Sequence, residues 1–136
     1  MSLQSVVMEA PVKKLVSQSL DHAAFTDGTS TSGYLDFTTG QIPANSLVLG
    51  WKAVISEAFT GDTTGVLTVG VSGGTSNYTG DTDLSCYTAA TVGSAPAEAT
   101  AFEASAVTPR VTVTGTSDFS SVTAGTMVVT IYYVKC

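Results

Sequence analysis

Short runs in which apolar residues alternate with threonine or serine are the feature that most limits how this chain can fold. In the run 110–116, Val111 and Val113 alternate with Thr112 and Thr114. A period of two places the valines on one face of a β-strand and the threonines on the other. Thr and Ser supply 22 and 16 of the 136 residues, while charged residues supply only 12%. Hydroxyl side chains suit exposed strand faces, and too few long charged residues remain to cover helices.

The longest strand patterns are the segments 46–59 and 126–135. In the first, the odd positions form one apolar face, which consists of Leu47, Leu49, Trp51, Ala53, Ile55 and Phe59. The even positions, among them Lys52 and Val54, form a mixed face that is only partly exposed to water. The run 66–73 follows after a short Gly/Asp/Thr loop, so we expect it to pair with 46–59 as an antiparallel hairpin. The segment 126–135 is apolar on both faces, which predicts a strand in the middle of a sheet.

These patterns predict an all-β fold, a single-domain antiparallel β-sandwich or jelly roll of about seven or eight strands. Residues 1–11 are predicted to be an extended N-terminal arm, and residues 12–136 to form the sandwich. A chain of 13.8 kDa can bury enough surface to be stable without a metal or a disulfide. Cys86 and Cys136 have neither metal-ligand spacing nor a disulfide framework around them, which predicts two reduced thiols.

The charge balance excludes several classes of partner. The net charge is −6, and five basic residues cannot form the cationic face that nucleic-acid binding requires. An anionic membrane surface is disfavoured for the same reason. No apolar run has the ~18–20 residues that a membrane span needs. The N-terminus lacks a basic start followed by an apolar stretch, so we expect no secretory signal and synthesis in the cytoplasm.

Three patterns that could carry chemistry have weak support. Ser72 lies in a G-x-S-x-G match, but no helix pattern follows it, so the strand-to-helix elbow of a hydrolase is missing. His22 is the only histidine, which leaves a histidine-rich metal centre without ligands. Asp81 and Asp83 lie in a Gly-rich loop that lacks the EF-hand pattern, so a solvated loop is expected. We predict no catalytic, cofactor or metal site.

The segment 41–73 resembles a pattern in small virion structural proteins of tailed bacteriophages. The motifs that carry the resemblance are Ile42-Pro43-Ala44, Val48-Leu49-Gly50, Glu57-Ala58-Phe59, Val69-Gly70-Val71, Thr108-Pro109-Arg110-Val111-Thr112-Val113 and Thr123-Ala124-Gly125. The resemblance covers residues 20–134. It implies a jelly-roll or sandwich module of the head decoration (cement) type, which binds the outside of the capsid lattice and has no catalytic residues.

The resemblance implies a protein made in the host bacterial cytoplasm and located on the capsid surface of the virion. Its partner would be the major capsid protein, and a homotrimer is the favoured oligomer. Attachment is expected through the arm and the strand that follows it, because an apolar arm can add to the edge of a capsid sheet. The predicted contact residues are Leu3, Val6, Val7, Met8, Pro11, Val12, Lys13 and Lys14.

The sequence leaves alternatives open for the arm and for the function. The arm is equally well interpreted as a disordered terminus. A tail- or fibre-associated adhesion module would bind a host glycan or protein through the loop 73–94, with Tyr78 and Tyr87 as contacts. A small hydrolase would rest on Ser72 alone.

Overall fold

In the computed structural model, the described residues are 11–28, 30–79, 84–87, 89–94 and 102–136, and they form eleven strands and two short 3₁₀ turns. The strands are β1 (Lys13–Val16), β2 (Leu20–Asp21), β3 (Thr26–Asp27), β4 (Ser32–Asp36), β5 (Ser46–Thr60), β6 (Val66–Val71), β7 (Leu84–Ser85), β8 (Ala90–Ser94), β9 (Phe102–Glu103), β10 (Pro109–Thr114) and β11 (Ala124–Lys135). The 3₁₀ turns are His22–Ala24 and Phe119–Ser121. The all-β class is confirmed, and the extra strands over the predicted number are mostly two-residue pairings at sheet margins.

The strands form two antiparallel sheets. Sheet A has six strands in the order β1-β11-β5-β8, with β2 also paired to β11 and β9 to β5. Sheet B has five strands in the order β3-β4-β10-β6-β7. β11 lies between β1 and β5, which confirms the prediction of a central strand. Within the described residues, no helix is long and apolar enough to cross a membrane.

The core lies between the sheets and consists of their inward side chains. On β5, Trp51, Ala53, Ile55 and Phe59 are buried as predicted. On sheet B the buried positions alternate as expected, for example Leu67 and Val69 on β6 and Val111 and Val113 on β10. One end of the core is closed by aromatic rings, with Phe25 in edge contact with Phe59 at 5.8 Å and stacked on Phe119 at 5.7 Å.

The predicted hairpin of β5 and β6 is wrong. β5 pairs with β11 and β8 in sheet A, whereas β6 pairs with β10 and β7 in sheet B. The loop between them therefore crosses from one sheet to the other. The Asp62 carboxylate accepts hydrogen bonds from the backbone N–H of Thr63 at 2.6 Å and of Ser117 at 2.8 Å. These bonds hold the crossing loop against the segment that leads into β11.

The predicted apolar face of β5 is also wrong at one end. Leu47 and Leu49 are 38% and 40% exposed, while Val48 is 2% exposed. The register explains this, because Tyr132 pairs with Gly50 but Tyr133 pairs with Val48, which leaves Leu49 as an extra residue. Such a β-bulge reverses the inward and outward positions on one side of it. Val48 thus packs in the core, and both leucines point away from it.

Candidate functional site: the outer face of sheet A

The predicted attachment residues divide into two groups. Leu3, Val6, Val7 and Met8 lie outside the described residues, as does all of the predicted arm except its final residue. Pro11, Val12, Lys13 and Lys14 are described, and all four side chains are exposed. They lead into or belong to β1, the edge strand of sheet A.

The sequence of β1 suits an edge strand. Lysine side chains on an edge discourage unwanted pairing between sheets, and β1 begins with two of them. Because neighbouring residues in a strand point to opposite faces, Lys14 points outward while Lys13 lies on the side of Tyr133, its partner in the register. The Lys14 ammonium lies 5.9 Å from the centre of the Tyr132 ring, which is within the range of a cation–π contact.

The large apolar side chains that remain exposed in the described residues are all associated with sheet A. They are Val12, Val16, Leu47, Leu49, Val54 and Phe102. The register joins four of them into one surface, since Leu47 pairs with Phe102 on β9, Val54 pairs with Val128 on β11, and Val16 pairs with Thr130 on β11. Val16 and Lys52 both pair with Thr130, one from each side of β11. We call this surface, with Lys14, Lys52, Val128, Thr130 and Tyr132, the outer face of sheet A.

Charge is unevenly distributed along this surface. Four of the five basic residues of the chain belong to strands of sheet A, and Lys14 and Lys52 point outward among the apolar side chains. Carboxylates lie at the opposite end of β11, where Glu57 accepts a hydrogen bond from the Gly125 N–H at 3.0 Å. Asp21 accepts one from the Thr126 hydroxyl at 3.2 Å. The apolar part of the face is therefore cationic, and its far end is acidic.

The outer face of sheet B is polar, and Arg110 on it contacts both Asp36 and Tyr34. Arg110 donates two hydrogen bonds to the Asp36 carboxylate, at 2.6 and 3.2 Å. The guanidinium also stacks on Tyr34, with its carbon 3.9 Å from the ring centre. The hydrogen bonds to Asp36 raise the pKa of Arg110 above its usual value. Arg110, the fifth basic residue, therefore binds side chains of its own sheet.

Tyr78 cannot be a ligand contact, because its side chain is fully buried. Its hydroxyl donates a hydrogen bond of 2.6 Å to Glu103 on β9. Burial, together with this bond and the negative charge of Glu103, raises the pKa of Tyr78 far above its usual value. The Tyr78 N–H donates to the Val69 carbonyl on β6 at 3.0 Å, so together with the Glu103 bond this residue links sheet B to β9 of sheet A.

Tyr87, the other residue considered for glycan binding, is partly exposed. With Thr63, Thr64, Gly65, Val66 and Ser85 it lines an open pocket of about 230 Å³. Burial, followed by the negative charge of Asp62, raises the pKa of Tyr87. The pocket is wide open and contains one aromatic ring, which provides little enclosure for a small ligand.

The described residues that the sequence analysis considered for catalysis or metal binding do not form a site of either kind. Ser72 lies in a turn that does not lead into a helix. His22 belongs to a 3₁₀ turn, with its Nδ1 atom 3.3 Å from the Asp21 carboxylate. Among the described residues, no three His, Cys, Asp or Glu side chains are grouped as metal ligands. Asp81 and Asp83 lie outside the described residues.

Neither cysteine is in a disulfide bond in the structure. Cys86 is fully buried, and burial raises the pKa of its thiol to about 12. Because the thiolate is the reactive form, Cys86 is inert at neutral pH. Cys136 is exposed at the end of β11, where its N–H donates to the Asn45 carbonyl at 2.7 Å.

The described fold is similar to chains in two solved phage capsid structures. One belongs to the cyanophage Pam1 capsid asymmetric unit, with a TM-score of 0.56, 18% identity, and coverage of 93% of this chain and 86% of that chain. The other belongs to the capsid of Ralstonia phage GP4, with a TM-score of 0.48, 17% identity, and coverage of 82% and 87%. No protein-family model matches the chain, and no curated protein sequence matches it. At this identity, the first likeness establishes a shared fold.

Proposed function

We propose that this protein is a non-enzymatic structural protein of a phage virion, and that it decorates the head by binding the outer surface of the capsid lattice. The observation that carries the proposal is the shared fold with a chain of the Pam1 capsid asymmetric unit, which extends over 93% of this chain. The partner would be the major capsid protein. The motif resemblance at residues 20–134 points to the same class of protein.

The physical character of the molecule supports this role. A protein present in many copies must remain soluble, and a net charge of −6 favours that. A decoration protein stabilises a shell by bridging neighbouring subunits, so several modest contacts act together. A homotrimer would supply three such contacts. The predicted arm and β1, with exposed Val12 and Lys14, would provide the first of them.

The adhesion alternative has lost one of its two proposed contacts, because the Tyr78 ring is enclosed in the core. The adhesion alternative is now supported only by Tyr87 and the open pocket that it lines. The hydrolase alternative rests on Ser72, which occupies a turn without the elbow geometry that activates a serine. We therefore keep capsid decoration as the proposal.

The test uses the purified protein and purified capsids that lack it. Light scattering of the protein alone should give about three times the 13.8 kDa mass of one chain. Titration into capsids should saturate at a fixed ratio, and the decorated capsids should withstand a higher temperature before they open. A protein that does not associate with the capsids contradicts the proposal and moves the adhesion module to first place.

A further inference from the structure

The outer face of sheet A presents large apolar side chains that are exposed in the part of the chain that the structure describes. Val54 and Phe102 are 41% and 51% exposed, and Val16 is 45% exposed at the opposite margin. Soluble monomers rarely expose contiguous apolar patches beyond a few hundred Å². Within the described residues, sheet B exposes no comparable side chain. This difference in exposed apolar side chains between the two sheets indicates that the outer face of sheet A is a binding surface.

The charges on this face indicate the chemistry of the partner. Lys14 and Lys52 project from the apolar area of a protein whose net charge is −6. The carboxylates of Asp21 and Glu57 lie at the far end of the face, around Thr126. A surface that covers the apolar part would therefore bring apolar groups to the centre and carboxylates opposite the two lysines.

A second copy of the chain is less well matched to this face. Lys52 lies near the midpoint of β5, which extends from Ser46 to Thr60. If two copies pack face to face about a two-fold axis through the middle of this strand, the two Lys52 side chains approach each other. Like charges brought together at the centre of an interface oppose association. A two-fold pair centred on Lys52 is therefore disfavoured, and a different protein with carboxylates opposite the two lysines is the better match to the centre of the face.

We propose that the outer face of sheet A docks on an apolar protein surface that presents carboxylates to Lys14 and Lys52. The inference rests on the proposed function, under which that surface belongs to the outside of the capsid. It extends the attachment site beyond the predicted arm and β1 to residues on β5 and β9. β1 is then one margin of the interface, and Leu49, Lys52 and Val54 lie near its centre.

The experiment compares capsid binding by four proteins: the wild type, Lys52→Glu, the double variant Leu49→Thr/Val54→Thr, and Lys135→Glu. The last variant makes the same change in net charge as Lys52→Glu, but strand alternation puts Lys135 on the opposite side of sheet A from Lys52, so it is the matched control. Affinity is measured by titration into capsids that lack the protein. Each protein is also checked for its unfolding temperature and its mass by light scattering.

We expect Lys52→Glu and the double variant to bind at least tenfold more weakly than the wild type, with unfolding temperature and mass unchanged. Lys135→Glu should bind nearly as the wild type does. If the wild type binds and both face variants bind equally well, the inference is overturned while the proposed function stands. If the face variants instead lower the oligomeric mass, a second copy occupies the face, and the inference is wrong. If the wild type does not bind the capsids, the proposed function is wrong, and the capsid surface is also wrong as the partner of this face.

Discussion

The outer faces of the two sheets differ, although both sheets contribute to one core. On sheet B, Arg110 binds the Asp36 carboxylate and stacks on Tyr34, and the remaining outward positions of β10 are Thr112 and Thr114. The outer face of sheet A presents exposed aliphatic and aromatic side chains beside two lysines. Charged and aromatic side chains on sheet B bind one another, whereas the described apolar side chains on the outer face of sheet A are exposed.

This difference separates the residues that stabilise the fold from those available for binding. Contacts among outward side chains of sheet B are formed in the folded monomer, so their loss should lower the free energy of unfolding. Exposed apolar side chains on sheet A gain little from folding, since water still reaches much of their surface. Substitutions on the two faces should therefore affect different measurements.

The largest expected effect tests where the outer face of sheet A begins on β5. Val48→Thr places a hydroxyl in the core and should lower the free energy of unfolding by about 1–3 kcal/mol. Leu49→Thr, one residue away, should change it by about 0.5 kcal/mol or less, because that side chain points outward. Urea denaturation of both variants measures the difference. A larger loss for Leu49→Thr would mean that β5 continues without the bulge and buries Leu49.

An intermediate effect is expected on sheet B. Arg110→Ala removes the paired hydrogen bonds to Asp36 and the stacking on Tyr34, and should cost about 1 kcal/mol. The loss stays modest because the Asp36 side chain is 44% exposed and solvent screens the pair. A double-mutant cycle with Asp36→Ala isolates the pair, and Lys52→Ala is the control from sheet A. Equal losses for Arg110→Ala and Lys52→Ala would remove the distinction between the faces.

The smallest effect concerns Asp62, on the loop that joins the two sheets. Desolvation raises the pKa of this carboxyl, but the hydrogen bonds from Ser117 and Thr63 outweigh it and hold the pKa below its ordinary value of 3.8. A carboxyl whose folded pKa is depressed stabilises the fold above its unfolded pKa, and this contribution is lost as the pH falls through the folded pKa. Asp62→Asn should therefore flatten the fall in unfolding temperature below about pH 4.

The measurement for this third prediction is the unfolding temperature of both proteins from pH 6 to pH 2. In the variant, the unfolding temperature should still fall with decreasing pH, because hydrogen bonds from backbone N–H groups also lower the pKa of Asp21 and Asp118. Parallel curves for the two proteins would show that the Asp62 bonds do not link folding to pH.

Alternation along single strands was predictable, and pairing between strands was not. The apolar and hydroxyl positions of β10 fall on the expected faces, because burial acts on each residue with a period of two. The hairpin of β5 and β6 failed because the partner of β5 is β11, far along the chain. A short polar loop is compatible with either a hairpin or a crossing between sheets.

The candidate site was predictable in part. Val12 and Lys14 are exposed at the margin of sheet A, which a contact role requires, and the mixed face of β5 in the sequence analysis contains Lys52 and Val54. The outward position of Leu49 was missed, because a bulge adds one residue without changing the composition of the strand. Gly50 next to it is the one local signal, since a glycine inside a strand often marks a bulge.

The position of β11 in sheet A has a consequence for the order of events on the ribosome. β11 follows all other described strands in the chain, yet β1, β2 and β5 pair with it. Their partner does not exist while they emerge, so sheet A must assemble late and through distant contacts, which are slow to form. Until then the long, largely apolar β5 is exposed to neighbouring nascent chains, and it is the segment where association during synthesis is most to be expected.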